Sequence, residues 1–227
     1  MSKSEIQNPK SDIPSLRAVV FDLDGLMFNT EDIFNEVGRI VLDRRGKVMG
    51  RELLQQMMGR RAPEALQIMI DFHNLPDTVP GLIDETRTLF TELAVDRLAP
   101  MPGLYELLER IETRGLVKGV ATSSGRRYLE DILNRFDLLS RFHLTLAAED
   151  VTHGKPHPEI YLTAARRLGV EPHEMLVLED SHAGTSAAVS ASAFAVSIPN
   201  EQSRHQDFSH ATYVASRLDD PYIFQLL

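Results

Sequence analysis

The chain is expected to fold as an α/β protein, a doubly wound parallel sheet carrying an inserted all-helical domain. Three observations point there. Short, nearly continuous apolar runs recur along the chain, helical patterns separate most of them, and one long stretch has helical periodicity with no strand pattern. The run RAVVFDL (17–23) reads as a strand buried on both faces, and LVKGVAT (116–122), HLTLAA (143–148), MLVLED (175–180) and FAVSIP (194–199) repeat it. Tyr128 to Phe136 and Glu159 to Leu168 read as intervening helices. Between the first two strands, Ile33, Phe34, Val37, Ile40 and Val41 form one helical stripe. Leu82, Ile83, Thr86, Leu89, Phe90 and Leu93 form another, and Pro63 opens a third helix bearing Leu66, Met69 and Ile70.

These readings place an α-helical insert at 31–98, bounded by Thr30 and Glu31 on one side and by the Pro/Gly-rich APMPG (99–103) on the other, a composition that suits a hinge. Residues 16–30 and 99–227 then form a Rossmann-like core. Residues 1–15, polar and holding Pro9 and Pro14, read as a flexible leader.

Composition narrows the function classes. The 227 residues are 43% hydrophobic and 25% charged, ordinary for a globular protein. Net charge is −9 with no long basic run, so no nucleic-acid partner is expected. Cysteine is absent, which excludes disulfides, thiolate metal sites and cysteine nucleophiles. The polar N-terminus has no apolar signal core, and no stretch approaches the ~18 apolar residues of a membrane span. A cytoplasmic monomer is the expectation.

Chemistry-bearing residues gather where the strands end. The first strand runs into FDLDGLMFNT (21–30), where Asp22 and Asp24, two apart, would point the same way in extended chain. Such a pair fits a bound cation or two protonation states; two solvated turn residues fit equally well. Gly25 permits the turn that follows. Thr122, Ser123 and Ser124 precede a helix, as anion donors do, although alone they read better as N-caps. Lys155, between Gly154 and Pro156, reads as a phosphate-neutralising charge or a solvated loop lysine. His153 and His157, lacking a carboxylate at matching spacing, read as surface histidines. Glu179 and Asp180 form a second acidic pair, and magnesium prefers such oxygen ligands. In doubly wound sheets ligands bind beyond the carboxyl ends of the strands, so one shared site explains all four groups better than separate accidents.

In that order, FDLDGLMFNT, ATSSG, GKPHPEIY and LEDSHAG resemble the four motifs of the haloacid dehalogenase superfamily, and the insert resembles its small α-helical cap. The resemblance implies Asp22 as nucleophile and Asp24 as general acid/base. It further implies phosphate contacts from Thr122, Ser123, Ser124 and Lys155, and Mg2+ held by Asp22, Glu179, Asp180 and the Asp24 main-chain carbonyl. Asp24 and the Glu179–Asp180 pair favour phosphoryl transfer over dehalogenation. The segments MMGRRAPEALQIMIDFHNLP and MPGLYELLERI look similar to pseudouridine-5′-phosphatase-like members, with β-phosphoglucomutase-like members also close. In the latter a histidine commonly stands at the place of Phe34 and an arginine at that of Ala62. Ser192 stands where relatives usually have glycine.

The expected activity is therefore Mg2+-dependent hydrolysis of a small phosphomonoester, a sugar or nucleoside monophosphate, through an aspartyl phosphate, with Arg60 and Arg61 of the insert contacting substrate. A phosphomutase, and a catalytically silent binding protein on the same fold, are the alternatives.

Overall fold

A computed structural model describes residues 15–57 and 60–227. All but Ser15 of the expected leader lies outside them. Six parallel strands, β1 (Ala18–Phe21), β2 (Val117–Ala121), β3 (Leu144–Leu146), β4 (Met175–Glu179), β5 (Phe194–Ser197) and β6 (Tyr213–Val214), form one sheet in the order β3-β2-β1-β4-β5-β6. The helices are α1 (Thr30–Asp43), α2 (Arg51–Met57), α3 (Ala62–His73), α4 (Val79–Arg97), α5 (Leu104–Thr113), α6 (Arg126–Arg135), α7 (Glu159–Leu168), α8 (His182–Ser190) and α9 (Pro221–Leu226).

The apolar runs are continuous because both sheet faces are covered. Val19, Phe21, Leu176 and Leu178 join a core with Leu107 and Ile111 of α5, Leu129 and Leu133 of α6 and Ile223 of α9. Their neighbours Ala18, Val20, Met175 and Val177 pack instead with Ile160, Tyr161 and Ala164 of α7 and Ala187 and Ala188 of α8. Alternate side chains thus serve opposite cores, and no position along β1 is left for a polar residue.

Helices α1 to α4 lie between β1 and β2; α1 packs on α4, α4 on α3, and α3 on α2. Arg45, at the end of α1, forks across to Asp77 (2.7 and 2.9 Å) and Glu85 (2.7 Å). The chain leaves and re-enters through two paired segments. Asn29 accepts from the Ala99 N–H (2.7 Å) and donates to the Arg97 carbonyl (3.0 Å), while the Met101 N–H donates to the Met27 carbonyl (2.8 Å).

Periodicity missed α2, α8, β6 and α9. In α2 the one buried residue is Leu53, too little to make a stripe, and β6 is only a two-residue pairing. Ser192 adopts φ +63°, the left-handed conformation that explains glycine at this turn; a residue with a Cβ holds it at a cost of about 1–2 kcal/mol.

Candidate active site

Strand register builds the site. Phe21 pairs with Val120 on one side and Leu178 on the other, so Asp22, Ala121 and Glu179 emerge together at the carboxyl end of the sheet. Here the order reverses, with β1 flanked by β2 and β4, the switch point where open α/β sheets bind ligands. Gly25, at φ +76°, turns the chain, and a Cβ there would lie 2.4 Å from Asp180 Oδ2. Gly184 is required for a similar reason, because a Cβ would fall 1.9 Å from the Glu179 carboxyl group.

Asp22, Lys155, Glu179 and Asp180 are all buried. The Lys155 ammonium donates to Asp22 Oδ1 (2.5 Å), Glu179 Oε1 (2.6 Å) and the Ala121 carbonyl (3.0 Å). Burial opposes that charge, yet the two carboxylates hold the Lys155 pKa well above its usual value. Glu179 also accepts from the Tyr161 hydroxyl on Oε1 (2.5 Å) and the Ser181 hydroxyl on Oε2 (3.1 Å). Asp180 Oδ2 accepts from the Asn200 amide (2.7 Å), which also donates to the Gly25 carbonyl. Burial, then neighbouring carboxylates, push Asp180 well above the usual range. Asp22 is also raised, by burial first, with Lys155 pulling the other way.

Oxygen atoms of Asp22, Glu179 and Asp180 lie within 4.8 Å of one another. Three buried carboxylates against one ammonium leave surplus negative charge, and an all-oxygen donor set suits a hard divalent cation. These residues fit Mg2+.

Asp24 faces a different set of partners. Its Oδ2 accepts from Ser124 Oγ (2.6 Å) and Thr122 Oγ1 (3.2 Å), and its Oδ1 from the Tyr128 hydroxyl (2.7 Å). Burial and then Asp24 raise the Tyr128 pKa, so the phenol stays a donor. Tyr128 in turn meets Phe34 and Phe90 of the inserted helices, with ring centroids 5.8 and 5.3 Å away. Thr122 and Ser124 thus spend their hydroxyls on Asp24, and Thr122 Oγ1 also caps the Ser124 N–H (3.0 Å). Ser123 has no hydrogen-bond partner among the described residues. At the start of α6, the Arg126 N–H donates to the Glu149 carboxylate (3.0 and 3.2 Å), so that donor serves an internal carboxylate.

The two insert arginines both have main-chain partners. Arg60 is exposed and donates to the Gln56 carbonyl (2.7 Å) at the end of α2. Arg61 reaches across to the core and donates to the carbonyls of Val151 (3.0 Å) and Thr152 (3.4 Å). Its Nε lies against Gly154, where a Cβ would be 2.9 Å away. His153 and His157 are exposed as expected, but the carboxylate that the spacing seemed to lack is supplied by Glu159 in the next turn.

Sequence reasoning overlooked Glu31, Tyr128, Tyr161 and Asn200. Asn200 follows β5 as the other site residues follow their strands, a signal that position alone could have given. Glu31, in the first turn of α1, is raised to about 7 by burial, then by Asp24 and Asp32.

Fold and site together define an α/β enzyme with a carboxylate-and-lysine centre at the switch point of a parallel sheet. Residues 19–198 match the family model described as haloacid dehalogenase-like hydrolase, and the chain belongs to that family. It is 34% identical over 180 residues to a phosphorylated carbohydrates phosphatase of Thermotoga maritima, covering 78% of this chain and 82% of that protein. It is 33% identical over 207 residues to a probable pseudouridine-5′-phosphatase of Drosophila melanogaster, covering 88% and 89%. Among solved structures, CbbY of Rhodobacter sphaeroides in complex with phosphate shares the fold at a TM-score of 0.79 and 23% identity, over 89% of this chain and 95% of that one. No helix of the described residues is long and apolar enough to cross a membrane.

Proposed function

We propose that this chain hydrolyses a small phosphomonoester, a sugar or nucleoside monophosphate, in a Mg2+-dependent reaction through phosphorylated Asp22. The chain is a phosphomonoester hydrolase by family, and phosphatases acting on phosphorylated carbohydrates, pseudouridine 5′-phosphate and glycerol 3-phosphate are among its relatives. The observation that carries the mechanism is the division of the aspartates. Asp22 is buried against Lys155, beside Glu179 and Asp180, whereas Asp24 is held by three hydroxyls.

An Asp22 oxygen attacks phosphorus in line, the bond to the leaving oxygen breaks, and Asp24 gives that oxygen a proton. Water then attacks the aspartyl phosphate, Asp24 takes the water's proton, and Asp22 is regenerated as inorganic phosphate leaves. Bound Mg2+, with Asp22, Glu179, Asp180 and the Asp24 main chain as its holders, would offset charge on the phosphoryl oxygens. Lys155 adds its charge beside the nucleophile, and Glu179 holds Lys155 in place. Thr122, Ser123 and Ser124 line the phosphate side near Asp24. Helices α1 to α4 act as a cap that excludes water and contacts the leaving group. Phe34, packed on Phe90 and Tyr128, offers no proton-transfer group at the place where β-phosphoglucomutase-like members commonly have a histidine, which favours a phosphatase over a mutase.

The test is phosphate release from pseudouridine 5′-phosphate, other nucleotides and sugar phosphates, with and without Mg2+. Mg2+-dependent release that Asp22→Asn abolishes is expected. Near wild-type turnover in that folded variant would overturn the scheme. A requirement for a bisphosphate activator would favour the mutase.

A further inference from the structure

Two residues on either side of Lys155, the chain carries a second cluster of metal-ligating groups. His153 Nδ1 lies 2.9 Å from Glu159 Oε2, and His157 Nδ1 lies 3.9 Å from the same oxygen. The imidazole rings are 4.6 Å apart, tilted by 36°. One ligand atom from each of the three residues falls within 4.8 Å of the others. We propose that His153, His157 and Glu159 form a binding site for Zn2+ or a similar borderline divalent cation, separate from the acidic centre.

The donor chemistry selects the ion. Two imidazoles and a carboxylate suit Zn2+ and not Mg2+, whereas the all-oxygen set of Asp22, Glu179 and Asp180 has the opposite preference. The geometry is close to what the ion needs. Tetrahedral bonds of about 2.0–2.1 Å put neighbouring ligand atoms roughly 3.3 Å apart. The observed 2.9 and 3.9 Å bracket that value and the third pair lies within 4.8 Å, so side-chain torsions that release His157 Nδ1 from the Glu159 N–H (3.3 Å) close the site. The side chains of His153 and His157 are 63% and 51% exposed, which leaves room for the motion and for water at a fourth position.

The carboxylate is also prepared for the task. Glu159 accepts from the Thr152 N–H (2.8 Å) and the His153 N–H (2.9 Å), which orient it toward the loop. A bound ion would fasten both ends of the Lys155 loop to the first turn of α7.

Calorimetric titration of the full chain with Zn2+ in saturating Mg2+ tests this, because Mg2+ competes for the acidic centre and leaves the imidazoles free. One class of Zn2+ binding should weaken by at least about tenfold in His153→Ala and in His157→Ala, since losing a ligand costs no less than losing an outer partner of one. His182→Ala, in a separate histidine pair with His210, should leave it unchanged. With Cu2+ as a probe, electron paramagnetic resonance should give nitrogen couplings that the double variant His153→Ala/His157→Ala loses. Circular dichroism checks that these exposed substitutions leave the fold intact. Unchanged Zn2+ affinity in the double variant, loss in His182→Ala instead, or a Cu2+ spectrum without imidazole nitrogen would each overturn the proposal.

Discussion

Replacing Lys155 by methionine isolates the electrostatics of the centre. Methionine nearly preserves side-chain volume, so the perturbation is the loss of one buried ammonium. That group holds Asp22 at 2.5 Å and Glu179 at 2.6 Å and is only 3% exposed at its side chain. Removing one partner of a buried ion pair costs about 3–5 kcal/mol, because the remaining charge is stranded. For a chain of this length 1 kcal/mol is worth roughly 2–4 °C, so the melting temperature should fall by about 6–20 °C at pH 8 without Mg2+.

The deficit should also depend on pH. Asp22 and Asp180 already sit above the ordinary carboxylate range, and losing Lys155 raises both further. A native state whose carboxylates have raised pKa values binds more protons than the unfolded chain, so its stability falls as pH rises. The variant's loss should therefore be larger at pH 8 than at pH 5, and Mg2+ should recover part of it by supplying the missing positive charge. Urea and thermal unfolding followed by circular dichroism, at both pH values and with and without Mg2+, measure all three effects. A loss under about 1 kcal/mol at pH 8, or a larger loss at pH 5, would refute the assignment of Lys155 as the charge that balances this centre.

Tyr128→Phe removes the 2.7 Å hydrogen bond to Asp24 while keeping the ring against Phe34 and Phe90. A bond to a charged group contributes about 1.5–3 kcal/mol, so kcat should fall by roughly tenfold or more while KM moves little, as steady-state kinetics would show. Glu31→Gln should stabilise the metal-free protein at high pH. The wild-type carboxyl is raised from 4.5 to about 7, so its ionisation penalty is absent below pH 4.5, grows through pH 7 and is complete above it. The gain at pH 8.5 should be at most about 3 kcal/mol, less what solvent screens at this partly buried group, and near zero at pH 4 in matched unfolding curves.

The sheet was readable because both its faces are buried. A strand such as Ala18 to Phe21, with every residue covered, must be apolar throughout, and a carboxylate following it at once stands out. Helix α7 was readable to its ends, since its helical pattern is a local signal. The aspartates and the Glu179–Asp180 pair stood out for the same local reason, lying at or just past a strand end, and Lys155 for its setting between Gly154 and Pro156 in the loop after β3. The partners of Asp24 were harder to see. Thr122 and Ser124 looked like anion donors, and nothing local indicated that their hydroxyls would turn 98 and 100 residues back to a carboxylate.

Tyr128 is part of an ordinary helical stripe in sequence; its hydroxyl acquires a role only because α6 leans over the mouth of β1. Arg61 read from the sequence as a substrate contact, and the approach of α3 to the Val151–Gly154 loop gives it main-chain partners there. His153 and His157 were set aside for want of a carboxylate at matching spacing, and the turn into α7 supplied Glu159.

By itself, then, the sequence determined the α/β class, the helical insert between the first two strands and the acidic and cationic groups at the strand ends, because burial and periodicity act along the chain. The tertiary structure alone decided which of those groups meet: Lys155 with Asp22 and Glu179, Asp24 with Tyr128, Arg61 with the loop after β3. Hydrogen bonds and ion pairs depend on ångström distances between residues far apart in the chain, and only the register of β1 against β2 and β4, with the packing of α6 and α7, fixes those distances.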